Sequence, residues 1–175
     1  YATHGIDVKL NSGIASIDTP TKRLRAKSGE EHKFDKLIIA TGAEPLMCIC
    51  FKPRALFPEI NQDKVEPVDY TAWQALVSAL VTHYKQRGTS IHYWEIGNEP
   101  DIGEDGGSPY RFQPVNYARY YKNTADGILR GDGNARVGGP ALANVRSPIL
   151  PALIDFCASS GTPLHFVSWH IYSSD

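Results

Sequence analysis

The sequence lacks the features that mark membrane proteins and nucleic-acid-binding proteins. No apolar run approaches the ~20 residues of a transmembrane helix, and the first residues lack the basic and then apolar pattern of a signal peptide. The 18 Lys and Arg residues nearly balance the 19 Asp and Glu residues, and they are scattered along the chain. We therefore predict no nucleic-acid partner and no membrane partner, and the compartment stays unknown.

Cysteine is scarce, and the cysteines present do not form a metal-binding or redox motif. The three cysteines are Cys48, Cys50 and Cys157, and none stands in a Cys-x-x-Cys pair. Cys48 and Cys50 alternate within an apolar run, which places both sulfurs on one face of a strand. We interpret the cysteines as small buried hydrophobic residues. The histidines lack a matching carboxylate cluster, so the sequence predicts no metal site.

A phosphate-binding glycine loop is also missing. No Gly-x-Gly-x-x-Gly run occurs in the chain, and such loops grip the pyrophosphate of dinucleotides. The acidic, Gly-rich stretch at residues 101–107 does not have the spacing of a calcium-binding EF-hand loop. We interpret this stretch as a solvated loop beside the candidate site described below.

The chain divides into two predicted pieces, residues 1–45 and residues 46–175. The first piece contains short extended segments at 6–10, 13–18, 23–26 and 37–40, which are separated by turn-forming residues. No helix of useful length is indicated in it. We therefore expect a small antiparallel β segment before the second piece.

The second piece alternates strands with helices. Its apolar patterns predict strands at 46–51, 91–96, 136–138 and 166–171, and helices at 70–86, 116–129 and 149–159. This order predicts an α/β fold with a parallel sheet that helices cover. Both an open doubly wound sheet and a segment of a β/α barrel fit the pattern.

Polar residues follow two of the predicted strands. Asn98 and Glu99 come after the strand at 91–96, and the strand at 166–171 delivers His170 and Tyr172. In β/α folds functional residues collect where strands end, so we expect these four side chains to gather there. As an alternative, Asn98-Glu99-Pro100 forms a simple turn with a helix-starting proline.

An Asn-Glu pair has a chemical use in sugar hydrolysis. The carboxylic acid of Glu99 can protonate a leaving glycosidic oxygen, while the amide of Asn98 holds a hydroxyl of the same sugar. Such an acid needs a raised pKa from burial or from a neighbouring carboxylate. His170 and Tyr172 can orient that neighbouring carboxylate by hydrogen bonding.

Residues 46–175 resemble the catalytic barrel of glycoside hydrolase family 39, the group of β-xylosidases and α-L-iduronidase. The motifs that carry the resemblance are Phe51-Lys52-Pro53, Tyr70-x-x-Trp73, His83-Tyr84-x-x-Arg87-Gly88, residues 94–101, Tyr120-Tyr121-Lys122, Val137-Gly138-Gly139-Pro140-Ala141, Gly161-Thr162-Pro163 and residues 166–172. The resemblance implies about four β/α units of a partial (β/α)8 TIM barrel, namely strands three to six. It also implies a retaining hydrolysis of O-glycosidic bonds in a carbohydrate substrate, with Glu99 as general acid/base and Asn98, His170 and Tyr172 as substrate-binding residues.

Part of the implied barrel is not identified in the sequence. Such a barrel has eight strands and about 250 residues, and the resemblance places the nucleophilic Glu after strand seven, beyond Asp175. We therefore expect this chain to be a fragment that is inactive alone. A complementing barrel fragment or an oligomer would be its partner.

Residues 1–45 resemble a different protein, an FAD-dependent pyridine-nucleotide-disulfide oxidoreductase. The resemblance is strongest at residues 37–45, where Thr41 and Gly42 stand in the Ala-Thr-Gly strand that approaches the flavin in that family. Because the glycine loop is missing, we expect no bound cofactor, and FAD only if the first piece is completed elsewhere. The alternatives to a glycosidase are thus an FAD- and NAD(P)-dependent oxidoreductase and a non-catalytic chimera of the two.

Overall fold

The computed structural model describes residues 13–34, 44–58, 66–88, 91–102 and 111–172. The described residues form two compact units, one that ends before residue 44 and one that begins at residue 44. None of the helices in these ranges is long and apolar enough to cross a membrane.

The first unit contains a three-stranded antiparallel sheet. Its strands are β1 (Ile14–Asp18), β2 (Arg23–Ala26) and β3 (Glu31–Lys33), in the order β1-β2-β3. Strands β1 and β2 confirm the expected antiparallel segment, whereas β3 was not predicted because its Glu-His-Lys sequence has no apolar alternation. The predicted strands at 6–10 and 37–40, together with Thr41 and Gly42, lie outside the described residues.

The second unit is a parallel sheet whose strands follow one another in chain order. The strands are β4 (Leu46–Ile49), β5 (Tyr93–Ile96), β6 (Arg136–Leu142) and β7 (Phe166–Trp169), and the connecting helices are α1 (Tyr70–Gln86), α2 (Pro114–Gly131) and α3 (Ile149–Ser160). A doubly wound sheet would reverse direction at a switch point. The uninterrupted order is instead that of consecutive β/α units in a barrel, which confirms the predicted partial barrel.

Local sequence signals explain the helix boundaries. Asp69 caps α1 because its carboxylate accepts hydrogen bonds from the backbone N–H groups of Thr71 and Ala72, at 2.7 and 3.1 Å. Helix α2 begins at Pro114, two residues before the predicted start, since a proline fits the first helical turn, where its missing N–H costs nothing. Strand β6 runs to Leu142 rather than to Gly138, because pairing with β7 continues through Gly139 and Pro140.

Aromatic side chains fill the core between the sheet and helices α1 and α2. The buried Trp73 stacks on Tyr120 with a ring-centroid distance of 5.8 Å, and its indole N–H donates to Thr124 Oγ1 at 2.9 Å. Phe57 packs edge-on against Trp73 at 5.5 Å. Large buried rings dominate core energetics, so this cluster anchors the two helices on the strands.

The ammonium group of Lys52 lies among three aromatic rings of the core, just beyond the end of β4. Its Nζ atom is 4.8 Å from the ring centroid of Phe57, 4.9 Å from that of Phe112 and 4.6 Å from that of Tyr120. Ring faces favour the charged ammonium, but burial lowers the pKa of Lys52 to about 8, with Cys50 opposing the shift.

Replacing Lys52 by Met should change how stability depends on pH. The folded pKa of about 8 lies below the ordinary value of 10.5, so between these values the unfolded chain binds more protons and the free energy of unfolding rises with pH. The free energy of unfolding of the wild type should therefore rise, relative to that of Lys52→Met, by on the order of 3 kcal/mol across this pH window. Urea denaturation at several pH values measures it. A flat or opposite slope would show that the rings, and not burial, control the charge of Lys52.

Strand β7 lies unusually close to β6 at Gly138. A Cβ atom at this position would stand 2.5 Å from the backbone oxygen and the ring of Phe166, which is closer than atoms can pack. Glycine is therefore required for β7, and the residues that follow it, to lie where they do.

Gly138→Ala should destabilise the second unit by about 1–3 kcal/mol or more, the usual cost of overpacking. Gly133→Ala is the matched control, because the nearest atom to a Cβ there is Leu129 O at 3.9 Å. Urea denaturation of both variants measures the effect. Equal stabilities would show that the contact between β6 and β7 is looser than the structure has it.

Candidate active site

The predicted polar residues lie at the carboxyl ends of two parallel strands of one sheet. Glu99 follows β5, and His170 and Tyr172 follow β7, with β6 between the two strands. Because the strands are parallel, all of these residues are at the same edge of the sheet.

Glu99 is buried and is held through one oxygen. Only 6% of its surface is exposed, and its Oε1 atom lies 2.7 Å from His170 Nδ1 and 3.2 Å from the hydroxyl of Tyr172, which donates to it. Neither contact involves Oε2, and in the described part of the chain no hydrogen bond to Oε2 is present. The carboxyl group therefore has one fixed oxygen and one oxygen that is free to exchange a proton.

The hydrogen bond to Glu99 affects Tyr172 in turn. It raises the pKa of the Tyr172 phenol, and the charge of Glu99 adds to this shift. The phenol therefore remains a hydrogen-bond donor over the ordinary pH range, although 81% of the Tyr172 side chain is exposed.

The backbone turns sharply between β5 and Glu99. Gly97 has φ +92°, and Glu99 itself has φ +47°, a left-handed conformation that is uncommon for residues other than glycine. The ring of Tyr117 lies 3.5 Å from the position of a Cβ atom at residue 97, and its hydroxyl donates to Ile96 O at 2.5 Å. Strained residues persist where the surroundings hold them, often at functional sites.

Backbone hydrogen bonds tie the three strand ends together around Glu99. The N–H of Glu99 donates to Ala141 O at 2.8 Å, and the N–H of His170 donates to Leu142 O at 2.7 Å. The N–H of Ala141 donates to Ser168 Oγ at 3.0 Å. Glu99 and His170 are thus each bonded to β6 through the backbone, which fixes the separation of their side chains.

Asp101 joins the loop after β5 to the loop after β6. Its Oδ1 atom accepts from the N–H of Ala143 at 3.0 Å, and its Oδ2 atom accepts from the N–H of Asn144 at 2.9 Å. The expected solvated loop beside the site stays a prediction for residues 103–107, which lie outside the described residues, whereas the carboxylate of Asp101 has a structural role that was not predicted. The sequence shows an acidic residue two positions after Glu99, which is a weak signal for such a role. It does not show that the backbone N–H groups of Ala143 and Asn144, in another loop, face this carboxylate.

The expected gathering of side chains is confirmed for Glu99, His170 and Tyr172, and Asn98 lies at the same strand end. His170 and Tyr172 contact Glu99 itself rather than a neighbouring carboxylate. Their contact with substrate, and that of Asn98, stays a prediction. The alternative turn is present at 98–102, but no helix starts at Pro100, since α2 begins at Pro114. In the described ranges, no group of three or more His, Cys, Asp or Glu residues could hold a metal ion.

A β/α-barrel segment with a buried carboxyl group at its carboxyl-terminal edge is the architecture of many glycosidases. The family model of glycosyl hydrolases family 39 matches residues 34–175. The chain therefore belongs to glycosyl hydrolases family 39.

Two known β-xylosidases illustrate the similarity. The chain is 30% identical over 181 aligned positions to the β-xylosidase of Geobacillus stearothermophilus. The alignment covers 93% of this chain and 35% of that enzyme. Its fold matches the crystal structure of a monomeric β-xylosidase from Caulobacter crescentus CB15 with a TM-score of 0.61 and 26% identity, over 77% of this chain and 28% of that one. The chain spans 29–35% of the length of the curated β-xylosidases that it matches.

A shorter likeness connects the chain with a reductase. Over 50 residues it is 44% identical to the rubredoxin-NAD(+) reductase of Pseudomonas putida, which amounts to 29% of this chain and 13% of that protein. The stretch is short beside the family 39 match and gives weak support to the oxidoreductase resemblance.

Asp101→Asn should loosen the candidate site. The amide of asparagine has one acceptor oxygen in place of two, so one backbone N–H of residues 143 and 144 loses its partner at a cost of about 1–3 kcal/mol. We expect lower stability to urea and faster amide hydrogen exchange at Ala143 or Asn144. The control is Asp155→Asn, on the exposed face of α3. Unchanged hydrogen exchange at both residues in Asp101→Asn would show that Asp101 does not hold the loop after β6 in place.

Proposed function

We propose that this chain supplies the acid/base part of a retaining glycoside hydrolase barrel of xylosidase or iduronidase type. The observation that carries the proposal is the carboxyl group of Glu99, which is buried at the carboxyl ends of the strands and is held at Oε1 while Oε2 is free. Membership of family 39 and the similarity to two β-xylosidases support it.

The proposed reaction has two steps. In the first, Glu99 donates the proton on Oε2 to the glycosidic oxygen while a second carboxylate attacks the anomeric carbon. In the second, Glu99 removes a proton from water, which then displaces the second carboxylate. His170 and Tyr172 donate to Oε1 in both steps, so that the exchangeable proton is directed to Oε2.

The second carboxylate is proposed to come from a further barrel strand. Retaining glycosidases place their two carboxyl groups about 5–5.5 Å apart. Asp101 is occupied by two backbone N–H groups, and Glu95 lies within β5, paired in register with Cys48 and Gly138. Glu104 and Asp105 lie outside the described residues. The nucleophile would then belong to a complementing fragment, a second chain or a longer form of the protein.

The proposed substrate is a glycoside whose sugar is a xylose or an iduronic acid unit. Asn98 directly precedes Glu99 in the chain, so its amide is the proposed partner of a sugar hydroxyl next to the scissile bond. Carboxylates and water suffice for this reaction, and no cofactor is required.

A reductase function of the first unit is a second candidate, which the short likeness to the rubredoxin reductase favours. In that case Thr41 and Gly42 would approach a flavin. Visible flavin absorbance in the purified chain, lost on changing Gly42, would establish this function, whereas a colourless chain contradicts it.

Glu99→Gln and Glu99→Ala test the proposed acid/base role. We expect the 175-residue chain alone to give negligible turnover of an aryl β-xyloside or an aryl α-L-iduronide, and a fragment carrying the remaining barrel strands to restore activity. In the complemented enzyme, both variants should lose about 10²–10⁴-fold in turnover of a substrate with a poor leaving group, which needs an acid.

Two further results make the assignment specific. A substrate with an activated phenol as leaving group needs less protonation, so its first step should slow less in Glu99→Ala. Azide is a nucleophile that needs no general base, so added azide should take the place of water in the second step and restore turnover of this variant. Glu95→Gln, four residues earlier within β5 itself, should keep most of the activity. Robust hydrolysis that survives Glu99→Gln would show that the residue or the family function is wrongly assigned.

A further inference from the structure

Two cysteines, Cys48 and Cys50, are at the carboxyl end of β4. Met47 and Ile49 of this strand pack into the core, whereas Cys48 is on the opposite face, in register with Glu95 of β5. Cys50 lies one residue past the strand and is exposed, while Cys48 is partly buried. The expectation that Cys50 is a buried apolar residue is therefore wrong, because the strand ends before it. Residues two apart along an extended chain point to the same side, so both thiols leave the end of β4 on the side away from Met47 and Ile49.

The dithiol is in contact with the segment that carries Glu99. Cys48 Sγ donates to Gly97 O at 3.1 Å, and the N–H of Gly97 donates to Ile49 O at 3.1 Å. Gly97 is the hinge of the turn that leads to Glu99. A ligand that takes the Cys48 sulfur must therefore break a hydrogen bond that helps to hold this turn.

The charges around the two sulfurs differ. Burial raises the pKa of Cys48, and Cys50 and Glu95 add to the shift. On the other side, the ammonium group of Lys52 interacts electrostatically with Cys50. When a ligand binds both sulfurs as thiolates, Lys52 is in place to balance part of their charge.

We propose that Cys48 and Cys50 form a dithiol site that binds one soft, thiophilic centre, such as trivalent arsenic, through both sulfurs. Soft thiolates select soft centres. A structural zinc ion needs four ligands, and in the described ranges no group of three suitable residues exists, so a centre that two sulfurs satisfy fits better. The proposal is independent of the glycosidase function.

The chemistry of the proposed step balances with an organic arsenoxide. The arsenic–oxygen bond is replaced by two arsenic–sulfur bonds, one to Cys48 and one to Cys50. The two thiol protons leave with the oxygen as water, and arsenic remains trivalent. A single thiol forms only one such bond, which a competing monothiol displaces readily.

The test uses phenylarsine oxide with the 175-residue chain. Intact-mass spectrometry should show one phenylarsenic group on the wild type, retained in excess glutathione and released by a dithiol. Cys157→Ser is the matched control, since Cys157 is buried on α3, and it should behave as the wild type does. Cys48→Ser and Cys50→Ser should each lose retention in glutathione. Retention by either of these variants, or none by the wild type, would overturn the proposal.

A second measurement needs no variant. Alkylation of the wild-type chain with iodoacetamide, followed by peptide mapping, reports each cysteine separately. Bound phenylarsine oxide should protect Cys48 and Cys50 together from alkylation when the chain is unfolded, and leave Cys157 reactive. Protection of one cysteine without the other, or of Cys157, would contradict a shared dithiol site.

Discussion

The hydrogen bond between Glu99 and His170 depends on the spacing of three parallel strands. Glu99 leaves β5 and His170 leaves β7, so the two side chains meet across the end of β6, 71 positions apart in the chain. Each of the two residues donates its backbone N–H to β6, at Ala141 and Leu142. A carboxyl group buried in this way is costly unless it has partners, and His170 and Tyr172, which follow β7, supply them. The tight approach of β7 to Gly138 brings these two side chains within reach of Glu99.

Much of the fold was predictable from the sequence, because its elements carry strong local signals. The apolar stripe of α1 predicted the helix to the residue, and Asp69 caps its first turn. The parts that were not predicted depend on tertiary contacts. Strand β6 continues through Gly139 and Pro140, which locally favour turns, because β7 pairs with it. Strand β3 is a polar segment whose backbone pairs with β2, and its Glu31 forms surface ion pairs with Arg23 and Arg25.

The sequence predicted which residues form the candidate site better than it predicted which hydrogen bonds they make. Asn-Glu after a strand and His-x-Tyr after a later strand are signals that a sequence shows. The partner of His170 and Tyr172, the role of Asp101 and the exposure of Cys50 depend on how loops from different strands meet, and no local pattern encodes them. The left-handed conformation of Glu99 belongs to the same group, since only Gly97 hints at a sharp turn.

The hydrogen bond between His170 and Glu99 is tested most directly by nitrogen NMR of the His170 imidazole in the 175-residue chain, with Glu99→Gln for comparison. Because Tyr172 already donates to Oε1, that oxygen acts as an acceptor and Nδ1 of His170 should carry the proton between them. We predict a hydrogen-bonded Nδ1–H signal near neutral pH that shifts in Glu99→Gln and persists in the control Asp155→Asn. An imidazole protonated on Nε2 alone, with signals unchanged by Glu99→Gln, would contradict it.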